Sequence, residues 1–169
     1  MARPTTARPW IDTDEFTRGA QRIQGVVPLA DLSRMADLLA DTDGALVWRL
    51  AGERTRRADG GSDAHLALGL QASVRMRCVR CLEPIEIRLA EERHYRLVVS
   101  EGVAEREDPQ SEDVDLLVAS SRFDVLELVE DEAIMALPLA PRHADCQPPA
   151  GAGAGRGGRA DSGDAATAE

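Results

Sequence analysis

Residues 65–81, HLALGLQASVRMRCVRC, join a long two-residue alternation to a pair of cysteines. An apolar side chain at every second position is typical of a strand with one face in the core. The pattern predicts one extended strand, and the residues expected to face the core are Leu66, Leu68, Leu70, Ala72, Val74 and Met76. The strand leads into Cys78-Val79-Arg80-Cys81, where a spacing of two residues lets both sulfurs reach one metal ion or each other.

The segments around this strand predict an α+β fold. Residues 22–29, 45–52 and 85–99 carry strand patterns, the last of them interrupted by a polar interval. Helices are expected at 31–40 and at 124–137, the second with an aspartate as its N-cap. We therefore expect a mainly antiparallel meander of four to six strands, open or curled toward a barrel, flanked by two or three helices.

The same patterns divide the chain into one domain and two tails. Residues 1–9 are expected to form a flexible arm, residues 10–147 a single domain, and residues 148–169 a disordered tail rich in glycine and alanine. Inside the domain, the acidic residues 101–115 are expected to form an exposed loop. A short edge strand is expected after it, at 114–118.

Composition narrows the class of protein. The chain has 169 residues, a net charge of −10 and no run of about 18 apolar residues that would span a membrane. No apolar segment follows the first residues as it does in a signal peptide, and three cysteines without an export signal favour reduced thiols or metal ligation over disulfides. We expect a cytoplasmic protein that has neither a membrane partner nor a small-molecule substrate.

Two sequence elements together resemble the bacterial YceD family. The first is Cys78-Val79-Arg80-Cys81-Leu82-Glu83-Pro84, a C-x-R-C-x-x-P pattern. The second runs from Asp124 to His143 and contains the helix motif L-x-E-D-E and the exit A-L-P-x-x-P, with a His and a Cys close by. The resemblance covers roughly residues 10–147, since three further elements also look like that family's N-terminal part: Ile11-Asp12, Phe16 and Gly25–Leu39.

The resemblance implies a small cytosolic protein that is needed for normal accumulation of 23S ribosomal RNA (rRNA), and hence of the large ribosomal subunit. It implies no enzymatic activity and supplies no molecular mechanism. We expect a non-enzymatic factor that supports the synthesis, processing or stability of 23S rRNA by binding rRNA or a large-subunit precursor. The alternative is an acidic adaptor that holds a basic ribosomal protein or an assembly factor without touching RNA.

Four residues form a candidate zinc site: Cys78, Cys81, His143 and Cys146. Two pairs, each with a spacing of two residues, would supply the three thiolates and one imidazole of a tetrahedral centre. Because residues 82–142 separate the pairs, only the tertiary fold can bring them together. Two alternatives remain open, namely a reversible disulfide between Cys78 and Cys81, and thiols that only form a turn or fill the core.

Basic residues concentrate between residues 49 and 96, where ten arginines stand against seven acids. The arginines expected to contact RNA phosphates are Arg75, Arg77, Arg80, Arg88, Arg93 and Arg96. Strand pairing would place several of them on one sheet face, with Tyr95 or Trp48 as a stacking surface for bases. The alternative is a solvated face whose arginines pair with interleaved glutamates.

Acidic residues concentrate in residues 97–132, where twelve acids stand against two arginines. The carboxylates expected to bind a partner from the second helix are Glu127, Glu130, Asp131 and Glu132. A surface of this charge would attract a basic ribosomal protein. The alternative is that these residues are only the solvated face of an amphipathic helix.

Overall fold

A computed structural model describes residues 8–107 and 114–149. The strands in these residues are β1 (Trp10–Ile11), β2 (Arg22–Pro28), β3 (Ala45–Arg56), β4 (Ser62–Arg77), β5 (Pro84–Val98), β6 (Asp115–Val118) and β7 (Phe123–Asp124). The helices are α1 (Thr13–Arg18), α2 (Ser33–Ala36), α3 (Glu101–Glu107) and α4 (Val125–Met135), and a 3₁₀ turn covers Leu29–Asp31. Each of these helices is too short or too polar to cross a membrane.

Five strands form one open sheet in the order β2-β3-β4-β5-β6. The first three neighbour pairs are antiparallel, whereas β6 lies parallel to β5 at the edge. α3 lies between β5 and β6 in the chain, and parallel strands require a long connection of this kind rather than a tight hairpin turn. The expected α+β fold and mainly antiparallel sheet are confirmed; the meander ends at β5, and the sheet does not close into a barrel.

The central strands are longer than the sequence pattern indicated. β3 continues to Arg56, beyond the strand pattern at 45–52, and β4 begins at Ser62, so only a short turn connects the two strands. Gly60 makes this turn with φ of +86°, a conformation that suits a residue without Cβ. The polar interval of β5 also lies inside the strand, because β4 offers an unbroken ladder in which Gly69 pairs with Glu92.

The core lies on one face of the sheet, beneath α1, α2 and α4. On β4 this face carries Leu66, Leu68, Leu70 and Val74, all buried as expected. Ala72 and Met76 share the face and are partly buried against the same core. The opposite face, which we call the open face, carries charged residues such as Arg49, which reaches Glu92 at 3.0 Å.

The helix expected over residues 31–40 is only one turn long. Leu32 has φ of −98° and ψ of +81°, so the backbone is not helical before α2 begins at Ser33. Leu32 and Met35 of this segment are nevertheless both buried. Burial of this segment therefore depends on the sheet and on α4 rather than on a long helix.

Two further expectations concern irregular regions. The acidic loop expected over residues 101–115 contains α3, whose Glu107 accepts a hydrogen bond from Arg96 at 2.7 Å. Most of the arm and most of the tail lie outside the described residues, as does the segment 108–113. At the start of the described chain, Arg8 pairs with Asp124 and the Pro9 carbonyl accepts from the N–H of Val125.

One long-range ion pair joins α2 to α4. The Glu130 carboxylate accepts hydrogen bonds from the backbone N–H groups of Arg34 at 2.8 Å and Met35 at 3.2 Å, and from the Arg34 guanidinium. Glu130 is 8% exposed, so these bonds replace almost all of its contact with water. The carboxylate thereby satisfies the free N–H groups at the start of α2.

Replacing Glu130 by alanine is expected to lower the free energy of unfolding by about 3 kcal/mol, because two backbone N–H groups and the half-exposed Arg34 guanidinium lose the buried carboxylate that accepts from them. Urea unfolding followed by circular dichroism measures this change. Asp131→Ala is the matched control, since its half-exposed carboxylate pairs with the same Arg34 at 2.5 Å and should contribute less than about 1 kcal/mol. Equal losses in the two variants would contradict the prediction.

Candidate functional site

The turn between β4 and β5 is closed by its own backbone. The N–H of Cys78 donates to the carbonyl of Glu83 and the N–H of Leu82 donates to the carbonyl of Cys78, each at 2.9 Å. Cys78 is fully buried and Cys81 is half-buried. The two sulfurs therefore sit on a tight and well-defined loop at the end of the two longest strands.

A second segment brings the remaining two candidate ligands to this turn. Residues 136–146, which we call the exit segment, leave α4 and cross to the sheet end, where the Pro141 carbonyl accepts from the N–H of Val79 at 2.9 Å. Beyond this bond, His143 Nδ1 lies 3.3 Å from Cys81 Sγ, and Cys146 Sγ lies 3.6 Å from Cys78 Sγ. The structure thus brings together all four residues that the sequence singled out.

The ligand atoms of the four residues lie within 4.8 Å of one another. In a tetrahedral zinc centre with Zn–S bonds of about 2.3 Å, neighbouring sulfurs are about 3.8 Å apart. The 3.6 Å between Cys78 and Cys146 is close to that value. The arrangement has the size of a four-ligand metal site, and all three cysteines are free thiols rather than disulfides.

The orientation of His143 favours metal ligation. Its Nε2 lies 3.1 Å from the Pro84 carbonyl oxygen, which can only accept a hydrogen bond. Nε2 therefore donates this hydrogen bond, and in the neutral ring Nδ1 carries the lone pair that faces Cys81 Sγ at 3.3 Å. Ligand histidines in proteins are commonly held in this way by a carbonyl on their other nitrogen.

The backbone around the cysteines stabilises negative sulfur. Burial alone would raise the pKa of Cys78, but the backbone N–H groups of Cys81, His143 and Arg80 outweigh it and lower that pKa to about 5. Burial, followed by the neighbouring sulfurs of Cys78 and Cys81, raises the pKa of Cys146 to about 11. A thiolate held by backbone donors beside further thiols is the donor chemistry of a soft metal ion.

The arginines do not share one surface. Arg75 and Arg77 lie on the open face, and Arg88 and Arg96 join them because they stand opposite Ser73 and His65 in the β4–β5 ladder. Arg93 is different: it stands opposite the buried Leu68, and its guanidinium pairs with Glu132 of α4 at 3.4 Å. Arg80 lies in the turn itself.

Several of these arginines already have carboxylate partners. Arg75 pairs with Asp41 at 2.7 Å and with Asp43 at 3.0 Å, and both contacts raise the pKa of Arg75. Arg96 pairs with Glu107, and Arg88 with Glu86 at 3.6 Å. Around Arg75, Arg88 and Arg96, the open face therefore agrees with the alternative to RNA binding, in which the arginines pair with carboxylates of the same chain.

Three exposed arginines near the cysteine turn have no carboxylate partner within residues 8–107 and 114–149: Arg77, Arg80 and Arg142. Sequence reasoning missed Arg142, although its position next to His143 was a usable signal. The expected stacking residues are not available, because Tyr95 and Trp48 are buried on the core face at 2% and 6% exposure.

The four carboxylates of α4 likewise divide among different surroundings. Glu127 is exposed and Asp131 is half-exposed, whereas Glu130 is buried against Arg34 and Glu132 faces Arg93. The expectation that all four form one solvated face is wrong for Glu130. The reason is that Arg34, which is distant in sequence, provides a guanidinium and two N–H groups where α4 passes α2.

A family model described as "Large ribosomal RNA subunit accumulation protein YceD" matches residues 66–166. The chain belongs to the YceD family. The match includes the cysteine turn, α4 and the exit segment, and begins inside β4, so the expected likeness of residues 11–39 stays a prediction. No curated protein and no solved structure match the chain. The description of the YceD family implies a role in accumulation of large-subunit rRNA and names no enzymatic activity.

Leu82 gives a direct test of the turn geometry. Its φ is +66°, in the left-handed region that disfavours residues with a Cβ, and its side chain is 59% exposed. Leu82→Gly is therefore expected to raise the free energy of unfolding by about 0.5–1 kcal/mol, since it removes strain and little buried surface. In thermal or urea unfolding, the control Val79→Gly should lower stability by a similar amount; a loss in both variants would contradict the assigned backbone.

Proposed function

We propose that this YceD-family protein supports accumulation of 23S rRNA without catalysis, by binding the rRNA or a large-subunit precursor. The contact surface is the tip, defined as residues 77–83 together with 139–146. The observation that carries the proposal is the presence there of exposed arginines that contact no carboxylate of the described residues. Exposed guanidinium groups without an internal ion pair among the described residues are suited to phosphate contact, because no salt bridge must first be broken.

We also propose that the four-residue cluster of Cys78, Cys81, His143 and Cys146 binds one zinc ion. A donor set of three thiolates and one imidazole of this size favours zinc over magnesium or calcium, which prefer oxygen ligands. The ion would hold the exit segment against the β4–β5 turn. Its role would be structural, since four protein ligands leave no open position for a substrate.

The adaptor alternative has less support from the described residues. It requires a free acidic surface on α4, but Glu130, Asp131 and Glu132 already contact arginines of the same chain. Only the exposed Glu127 among the four has no arginine contact in residues 8–107 and 114–149. A basic partner would have to compete with these internal pairs.

Zinc binding is tested on protein purified without added metal or chelator. We expect one zinc ion per chain by elemental analysis, and Co²⁺ substitution should give the visible absorption of a tetrahedral thiolate complex. Cys81→Ser removes one ligand and should lower zinc affinity by at least about tenfold. Val79→Ser, in the same turn but outside the ligand set, should retain full zinc; a wild-type protein that binds neither metal would refute the proposal.

RNA binding is tested by filter binding of transcribed 23S rRNA in the presence of excess tRNA. The double variant Arg77→Glu/Arg80→Glu is expected to bind about 30-fold more weakly at 0.15 M salt, because each lost phosphate contact weakens binding by about fivefold. The slope of log affinity against log salt should fall by about 2.

The matched control is Arg22→Glu/Arg56→Glu, which makes the same charge change at exposed arginines outside the tip. This variant should bind within about twofold of wild type if the tip is the contact surface. Equal losses in the two double variants would show general charge attraction only. Recovery of ribosomal proteins without rRNA, with no binding of 23S rRNA at low salt, would instead support the adaptor.

A further inference from the structure

We infer that metal binding assembles part of the RNA contact surface, and that Arg142 belongs to this surface. The inference rests on the function proposed above and adds to it a binding residue and a requirement for the metal. It follows from the fact that the tip is built from two segments that are far apart in sequence.

The exposed arginines of the tip come from both segments. Arg77 ends β4 and Arg80 lies in the β4–β5 turn, while Arg142 belongs to the exit segment. The hydrogen bond from the Val79 N–H to the Pro141 carbonyl joins the segments at 2.9 Å. Arg80 and Arg142 each adjoin one partner of that bond, so their backbones are held side by side.

The exit segment has few other attachments to the turn. It contains no helix or strand up to Cys146, and its buried residues are Leu137 and Pro141. Besides the bond to Val79, His143 attaches the segment through its backbone N–H, which donates to the Cys78 sulfur, and through Nε2, which lies 3.1 Å from the Pro84 carbonyl. Three such hydrogen bonds are weak against the entropy of ordering about ten residues, whereas an ion shared by four ligands fixes both segments at once.

The contribution of the metal is positional and not electrostatic. A zinc ion with three thiolates has a net charge of −1, so it does not attract phosphate. The tip also carries the exposed acids Glu83 and Asp145, and its arginines therefore act through their placement more than through net charge. Placement of Arg142 beside Arg80 is what the metal provides.

The first experiment measures assembly without RNA. Amide hydrogen exchange is followed at Val79 in the full chain, with zinc bound and after removal by a chelator under reducing conditions. The Val79 N–H should exchange at least tenfold faster without the metal, while amides of the β4 ladder near Leu68 keep their protection. Unchanged protection of Val79 would overturn the inference, because the segments would then stay together without metal.

The second experiment measures the role of Arg142 in binding transcribed 23S rRNA. With zinc bound, Arg142→Ala should weaken binding about fivefold at 0.15 M salt, the effect of one phosphate contact. After metal removal, the wild type should bind about as weakly as this variant, and the substitution should have no further effect. Arg56→Ala, outside the tip, should change neither measurement.

The outcomes separate this inference from the proposed function. If Arg77→Glu/Arg80→Glu weakens binding but Arg142→Ala does not, the tip binds RNA and the inference is wrong. If Arg142→Ala weakens RNA binding equally with and without zinc, the metal does not place Arg142, and the inference is likewise wrong. If no variant or wild type binds RNA, the proposed function fails, and the hydrogen-exchange result still decides whether metal assembles the tip.

Discussion

The register of β4 against its two neighbours is the constraint on which the rest of the structure depends. Leu68 stands opposite Leu50 on one side and Arg93 on the other, so a shift by one residue would turn the leucines of β4 to solvent. The same register ends with Arg77 opposite Pro84. It thereby fixes where the two strands turn, and the first two metal-site cysteines lie in that turn.

One contact between distant segments and one local helix cap then place α4. Glu130 holds α4 beside α2 through Arg34, and the Asp124 side chain caps α4 by accepting from the N–H groups of Leu126 and Glu127. With α4 placed in this way, the exit segment begins at a point from which it reaches the β4–β5 turn. The candidate metal site is thus a consequence of helix packing on the core face, although it lies at the end of the sheet.

The sequence was most informative where chemistry and periodicity agreed. The alternation of β4 and the Asp124 cap were predicted correctly, because each depends on local pattern. The cysteine–histidine cluster could be singled out by its rare residue types, but its convergence depends on the tertiary fold, which the spacing could not predict. Two other features depended on partners that local pattern does not contain. Glu130 is buried because Arg34 meets it across the helices, and the acidic residues 101–107 form α3 on the edge of the sheet.

Arg93 shows a different kind of error. The apolar residues on either side of it, Ile87, Leu89 and Tyr95, all have odd numbers, so an unbroken strand places Arg93 on the core face. When the polar interval is interpreted as a break in the strand, the face on which Arg93 lies cannot be predicted. In a long strand the side chains keep alternating between the two faces through a polar interval when a partner strand continues alongside. The odd or even position of a residue then predicts its face better than its hydrophobicity does.

The distance in sequence between the two halves of the cysteine–histidine cluster also sets an order of events during protein synthesis. Cys81 and Cys146 are 65 positions apart, and at about 5–20 residues per second the second half follows the first by about 3–13 s. During most of this interval the nascent chain offers only two thiols of the cluster, because His143 is made three residues before Cys146. All four ligands are therefore present only after α4 has been made. Metal binding by the complete cluster would thus follow synthesis of the helix that packs on the core face.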